Sequence, residues 1–251
     1  MCVFALFDMS AGMADFTPQM PHGELLEIFS GIHFVTGTTR PFFEGRNWQF
    51  SRNMTVVREG DALTLINTVR LDDAGLAALD RLGEVKNVVK IGSFHGYDDA
   101  FYVDRYGAKL WALAGMEHES GLPTKGELGA ESMPFTGAKL FVFETAKMPE
   151  GLLLIEREGG IVVSCDSLQN WAEADRFFDE ETAKMMTEIG FIKAANVGPG
   201  WARFAEPKAS DFERVLALPF KHLLSAHGSP LVGDAKERFA ATFRELYGVN
   251  S

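Results

Sequence analysis

Cysteine is nearly missing: Cys2 and Cys165 are the two thiols in 251 residues. Two cysteines so far apart exclude a disulfide framework and the paired spacing of a zinc ribbon. No apolar run reaches the roughly 20 residues that a membrane-spanning helix needs, so no membrane partner is expected. Positive charge is short as well. Against 35 Asp and Glu stand 24 Lys and Arg, and the net charge of −11 weighs against nucleic acid as a partner. Tyrosine is scarce, 4 residues beside 21 Phe, so the aromatic content is expected to pack rather than to hydrogen-bond. The N-terminal Met-Cys-Val-Phe-Ala-Leu-Phe-Asp-Met has no basic lead and is interrupted by Asp8. No signal peptide is read there, and a cytoplasmic protein is the expectation.

What remains is ample material for a core. Apolar residues make up 46% and charged residues 24%, a balance that suits a folded globular protein. No linker or short-period repeat divides the chain, so one domain over 1–251 is expected, with an N-terminal extension over 1–30. Residues 1–24, with Pro18 and Pro21, read as an irregular arm or helical turn, and 24–29 as a short amphipathic piece. Residues 31–37 read as a strand with His33 on one face. Residues 38–53 carry Arg40, Arg46, Asn47 and Arg52 and read as a surface loop, one that could supply Arg to an anionic substrate. Two β-rich runs around Glu59-Gly60-Asp61 signal a hairpin. A helix follows over 73–82, capped by Asp72 or Asp73, with Leu76, Leu79 and Leu82 on one face. Further strands are read at 109–113, 139–143, 151–156 and 160–164. A helix-rich stretch covers 170–190, Gly198-Pro199-Gly200 is a loop, and a short helix covers 211–218. A last strand lies at 220–225. The final helix starts at a capping box of Asp234 with Glu237, buries Phe239, Phe243 and Leu246, and ends at Gly248. Strands alternating with helices in both halves imply two sheets with helices outside them.

Residues that carry chemistry gather at strand ends. Val88–Ile91 is a short apolar run suited to a buried strand. Gly92-Ser93 breaks it, and His95, Tyr97, Asp98 and Asp99 follow at once. A buried strand that releases polar, metal-capable side chains at its C-terminal end is a common way to build a site. The strand at 160–164 likewise ends in Cys165-Asp166, and the strand at 220–225 in Ala226-His227-Gly228. Cys165 reads as a small buried hydrophobe beside its apolar run. His118 opens the long connection 114–136, where a solvated loop histidine is the plainer reading. Asp98 or Asp99 could cap a helix beginning near Ala100, and Asp166 the helix after it.

This order of motifs resembles the metallo-β-lactamase superfamily over residues 31–247. The family's His-x-His-x-Asp-His motif falls on His95-Gly96-Tyr97-Asp98-Asp99-Ala100, where His95 and Asp99 match and Tyr97 and Ala100 replace histidines. Lys147-Met148-Pro149-Glu150-Gly151 stands where the family has a His-bearing turn. Asp166 matches the bridging Asp, and His227 the last His. The resemblance implies an α+β fold, a four-layer αββα sandwich of two mixed sheets with helices on the outer faces. It implies a reduced metal site, with His95, Asp99, Asp166 and His227 holding one divalent ion: zinc, iron or manganese. Asp99 or Asp98 would orient or deprotonate a water, and Tyr97 would donate to a developing oxyanion.

The activity so implied is hydrolysis of a small ester, thioester, lactone or phosphoester. A rival reading is a non-catalytic small-molecule-binding or assembly protein on the same fold. A third is metal-free acid–base hydrolysis by Asp98, Asp99 and His227. The expected partner is a small-molecule substrate or ligand, selected by the loops 38–53, 114–136 and 193–204. Exposed Phe or Trp in those loops would signal a homodimer.

Overall fold

The computed structural model describes residues 16–118 and 121–249; Cys2, the stretch read for a leader and most of the 1–24 arm lie outside them. The chain enters with β1 (Leu26–Phe29) and β2 (Ile32–Thr39), then a small hairpin, β3 (Phe42–Phe43) with β4 (Arg46–Asn47). The long β5 (Phe50–Glu59) turns back through β6 (Ala62–Ile66), and α1 (Asp73–Leu82) leads to β7 (Glu84–Lys90). After α2 (Asp99–Tyr106) come β8 (Lys109–Ala112) and β9 (Gly126–Glu127). The second half runs β10 (Ala138–Val142), β11 (Gly151–Ile155), β12 (Ile161–Ser164), β13 (Leu168–Gln169), α3 (Glu180–Glu188) and β14 (Asn196–Val197). It closes with α4 (Pro199–Ala205), α5 (Ala209–Ala217), β15 (His222–Ser225) and α6 (Ala235–Tyr247).

Seven strands make one sheet in the order β1-β2-β5-β6-β7-β8-β9, and four make the other, β10-β11-β12-β15. Both are mixed. The first is antiparallel as far as β6 and parallel beyond it. In the second, only the β12–β15 pair is parallel. Every residue of β11 is buried, because both faces of the strand are covered. Leu153 and Ile155 point into a core shared with Val57, Ile66 and Val89 of the first sheet. Leu152 and Leu154 point the other way, onto Phe212 and Val215 of α5 and Phe239 and Phe243 of α6. A third core lies outside the first sheet, where Val56 and Leu65 meet Leu76 and Leu79 of α1 and Tyr102 of α2. Three apolar layers thus separate two sheets and two sets of helices, the four-layer arrangement that the resemblance implies. Leu79 is fully buried, and truncating such a leucine to alanine costs about 2–5 kcal/mol.

Several local expectations are corrected. The stretch 38–53 is not one surface loop: β5 begins inside it, and Ser51, Arg52 and Asn53 are buried. Residues 26–29 form a strand rather than an amphipathic piece. Gly198-Pro199-Gly200 opens a helix, with Pro199 at its first position, where the missing N–H costs nothing. The helical stretch 170–190 shrinks to α3, whose N-cap Asp179 accepts from the Thr182 N–H at 2.7 Å. Asp72 caps α1 as expected, accepting from the Gly75 N–H at 2.8 Å. Asp98 and Asp234 stand at the N-caps of α2 and α6, but neither side chain accepts a cap bond. No helix follows Asp166 directly. No helix among the described residues is long and apolar enough to cross a membrane.

Candidate metal centre

The site lies where the C-terminal ends of β7, β12 and β15 meet. The parallel register pairs Ser164 with Ser225, so Asp166 and His227 leave their strands at the same level. Gly228 turns the chain behind His227 at φ +86, and a Cβ there would run into the Asn170 backbone. That clash is the physical reason for glycine after this histidine. The Asn53 amide ties the turn across the two sheets, donating to Ser225 O at 2.9 Å and Gly228 O at 2.7 Å.

Three Lewis bases converge. His95 Nε2 and His227 Nε2 are 3.0 Å apart. His227 Nε2 is 3.0 Å from Asp166 Oδ1, and His95 Nε2 is 3.6 Å from Asp166 Oδ2. All three side chains are buried. Burial pushes the His95 imidazole below its ordinary value, against the pull of the Asp166 carboxylate. Burial alone would raise Asp166; the imidazoles of His95 and His227 outweigh it and hold the carboxyl well below the usual range. His227 Nδ1 lies 3.4 Å from Ser51 O, which orients the ring. Trp171 packs on the same ring at 4.5 Å between centroids, a dry wall to the site.

The donor set fits a divalent ion. Tetrahedral zinc with bonds of 2.0–2.1 Å sets its ligand atoms about 3.3 Å apart. The observed spacings of 3.0, 3.0 and 3.6 Å bracket that value. A proton on His227 Nε2 can serve only one of its two neighbours, His95 Nε2 or Asp166 Oδ1, whereas a cation would meet all three groups. Cys165 is also present: His95, Cys165 and Asp166 offer ligand atoms within 4.8 Å of one another. Its thiol is buried but not merely a hydrophobe, since it donates to Asp166 Oδ2 at 3.1 Å.

Asp99 does not join this cluster. It is buried in the first turn of α2, its Oδ1 accepts from the Thr68 hydroxyl at 2.6 Å, and its Oδ2 has no partner. Burial raises its carboxyl above the ordinary value. Asp98 is spent elsewhere. Its Oδ2 accepts from Arg52 Nη2 at 2.5 Å and from the Arg70 N–H at 2.6 Å, and its Oδ1 from the Thr17 hydroxyl. Arg52 is therefore bound to Asp98 rather than offered to an anionic substrate. Tyr97 is 40% exposed on the loop after His95. His118 meets Thr124 at 3.0 Å, and no contact joins it to the centre among the described residues.

Two buried residues at the centre escape a reading of the sequence. Glu150, fully buried before β11, accepts from the Ser167 N–H, while its Oε2 has no partner. Burial first, and then the Asp166 charge, raises its carboxyl well above the ordinary value. Lys90 ends β7 and donates to the carbonyl oxygen of His95. A charge inside the apolar run Val88-Val89-Lys90-Ile91 is the signal that could have found it.

No protein-family model matches the sequence, and no curated protein sequence does. Solved structures do. The metallo-β-lactamase from Hirschia baltica is 15% identical, with 88% of this chain and 97% of that one covered at a TM-score of 0.55. VMB-1, at pH 5.5, is 14% identical, with 91% and 98% covered and a TM-score of 0.62. The metallo-β-lactamase FIM-1 from Pseudomonas aeruginosa, in its mono-zinc form, is 13% identical, with 90% and 96% covered at 0.51. The chain has the metallo-β-lactamase fold. Within that fold His95, Asp166 and His227 come together.

Proposed function

We propose that this protein is a metal-dependent hydrolase with a single-ion site, acting on a small ester, thioester, lactone or phosphoester. The observation that carries the reading is the meeting of His95 Nε2, His227 Nε2 and the ionised Asp166 carboxylate at ligand spacing, inside the metallo-β-lactamase fold. His95, Asp166 and His227 would hold the ion, with Cys165 adjacent. Zinc, iron and manganese all suit nitrogen and carboxylate donors. A bound ion of this kind would polarise a substrate oxygen and lower the pKa of water to about 7.

The chain's own groups do the rest. His227 is held in register by Ser51 O, and Trp171 excludes water from one side. Asp99 keeps an unpartnered oxygen and a raised affinity for a proton, which suits taking a proton from water or giving one to a leaving group. Asp98 takes no such part, because Arg52 holds its carboxylate. Tyr97, on the exposed side of the loop, would donate to a substrate oxygen.

A second reading has its own support. His227 Nε2 lies within hydrogen-bond reach of both His95 Nε2 and Asp166 Oδ1, so the same cluster could stand without an ion in a binding or assembly protein. Elemental analysis of protein purified without chelators separates the two. About one zinc, iron or manganese per chain, lost in both Asp166→Ala and His227→Ala, supports the hydrolase. A parent that stays metal-free after incubation with each ion refutes it.

A further inference from the structure

The buried charges around Asp99 call for an inventory. Asp99 is 1% exposed and Asp98 is fully buried, and Arg52 answers Asp98. Asp99 has the Thr68 hydroxyl on Oδ1, but neither hydrogen bond nor ion pair reaches Oδ2. A carboxylate buried without a counter-charge is costly, so a cation is needed nearby. Lys90, itself 4% exposed, is a cation whose charge works against the burial that raises the Asp99 carboxyl, although no ion pair joins the two. A Cβ on Gly96 would sit 2.8 Å from Asp99 Oδ2 and 3.1 Å from Lys90 Nζ, so the two groups face the same small space above that glycine. Gly96 has φ +109, and only glycine leaves that space open.

Lys90 has a second duty. Its ammonium donates to the carbonyl oxygen of His95 and lies 3.5 Å from that of Ser93. Three N–H donors allow this without using up its charge. The ammonium therefore closes the loop that delivers His95 while it faces, across Gly96, the carboxylate at that loop's other end.

We propose that Lys90 is a resident cation in place of a second metal ion: it occupies the charge that Asp99 would otherwise offer to one, and it makes the centre a single-ion site. The proposal rests on the single-ion reading above and adds to it why the number is one. It also casts Lys90 as a positioning residue, acting on the ion only through the His95 loop.

The test counts ions rather than turnover. Zinc chloride is titrated calorimetrically into metal-stripped parent, Lys90→Met, Lys90→Arg and Lys90→Met/Asp99→Asn, with zinc per chain measured after desalting and the fold checked by circular dichroism. The expected counts are one for the parent, two for Lys90→Met, one for Lys90→Arg and one for the double variant. Lys90→Met protein that folds only when zinc is supplied, while the double variant folds without it, supports the proposal equally. A count of one in folded Lys90→Met overturns the proposal and leaves the single-ion hydrolase reading intact. So does a Lys90→Met protein that zinc cannot restore. A parent count of zero removes that reading, and the proposal with it.

Discussion

Two buried polar clusters draw on the loop before α2, through Asp98 and through His95, and they differ in what they leave unspent. The Arg52–Asp98 pair is closed on the carboxylate side. Each oxygen of Asp98 has a donor, and the pair pins β5, the loop before α2 and the Thr17 segment together. The His95–Asp166–His227 cluster has three acceptor-capable groups and at most a shared proton or two among them. Burial is equal in both, so burial does not mark the site; surplus lone pairs do. The first cluster is a structural clamp, and the second is a place where a cation gains.

The comparison breaks most sharply at Asp98. Asp98→Ala leaves Arg52 buried and unpaired and is expected to destabilise the fold by about 3–5 kcal/mol. Chemical denaturation measures it; a loss below 1 kcal/mol would mean that the clamp is ornamental. Asp166→Ala should cost less in the absence of metal, because it removes a carboxylate that is 8% exposed and leaves no buried guanidinium unpaired.

Zinc sharpens the contrast. At about 100 times its dissociation constant, zinc should stabilise the parent by about 2.7 kcal/mol and leave Asp166→Ala and His227→Ala unmoved. Thermal shifts with and without zinc read this directly, and an equal shift in Asp166→Ala would place the ion elsewhere.

The carboxyls of Glu150 and Asp166 are shifted in opposite directions. The folded pKa of Asp166 lies well below its ordinary 3.8, so its stabilising share is present above pH 3.8 and lost only as pH falls through the lower folded value. The folded pKa of Glu150 lies well above 4.5, so its share is full below pH 4.5 and is lost as pH rises through the folded value. Glu150→Gln keeps an oxygen for the Ser167 N–H. It should flatten the loss of stability that sets in as pH rises above 4.5 and leave the variant the more stable of the two at alkaline pH. Melting curves across that range decide it, and an unchanged slope would show that Glu150 is not the titrating group.

The smallest effect is expected at Tyr97. Tyr97→Phe should change stability by less than about 0.5 kcal/mol, as exposed substitutions do. Metal content should be kept and turnover on an ester substrate reduced. Unreduced turnover would remove Tyr97 from the chemistry.

By itself the sequence determined the layers and the strand ends. The unbroken apolar runs of β11 and β12, the cap at Asp72 and the glycine after His227 are local demands, and local demands are written in local residues. It also determined that His95, Asp166 and His227 are each delivered by a strand terminus. What it could not determine was which carboxylates meet which cations. Asp98 and Asp99 are adjacent in the chain, yet α2's first turn sends one to Arg52 and the other to Thr68 and the space beside Lys90. Glu150 lies between two strands and becomes a site residue only because Gly92 and Ser167 close over it. Pairings of that kind join residues far apart in sequence, and their energies depend on burial and distance, which only the folded sheets set.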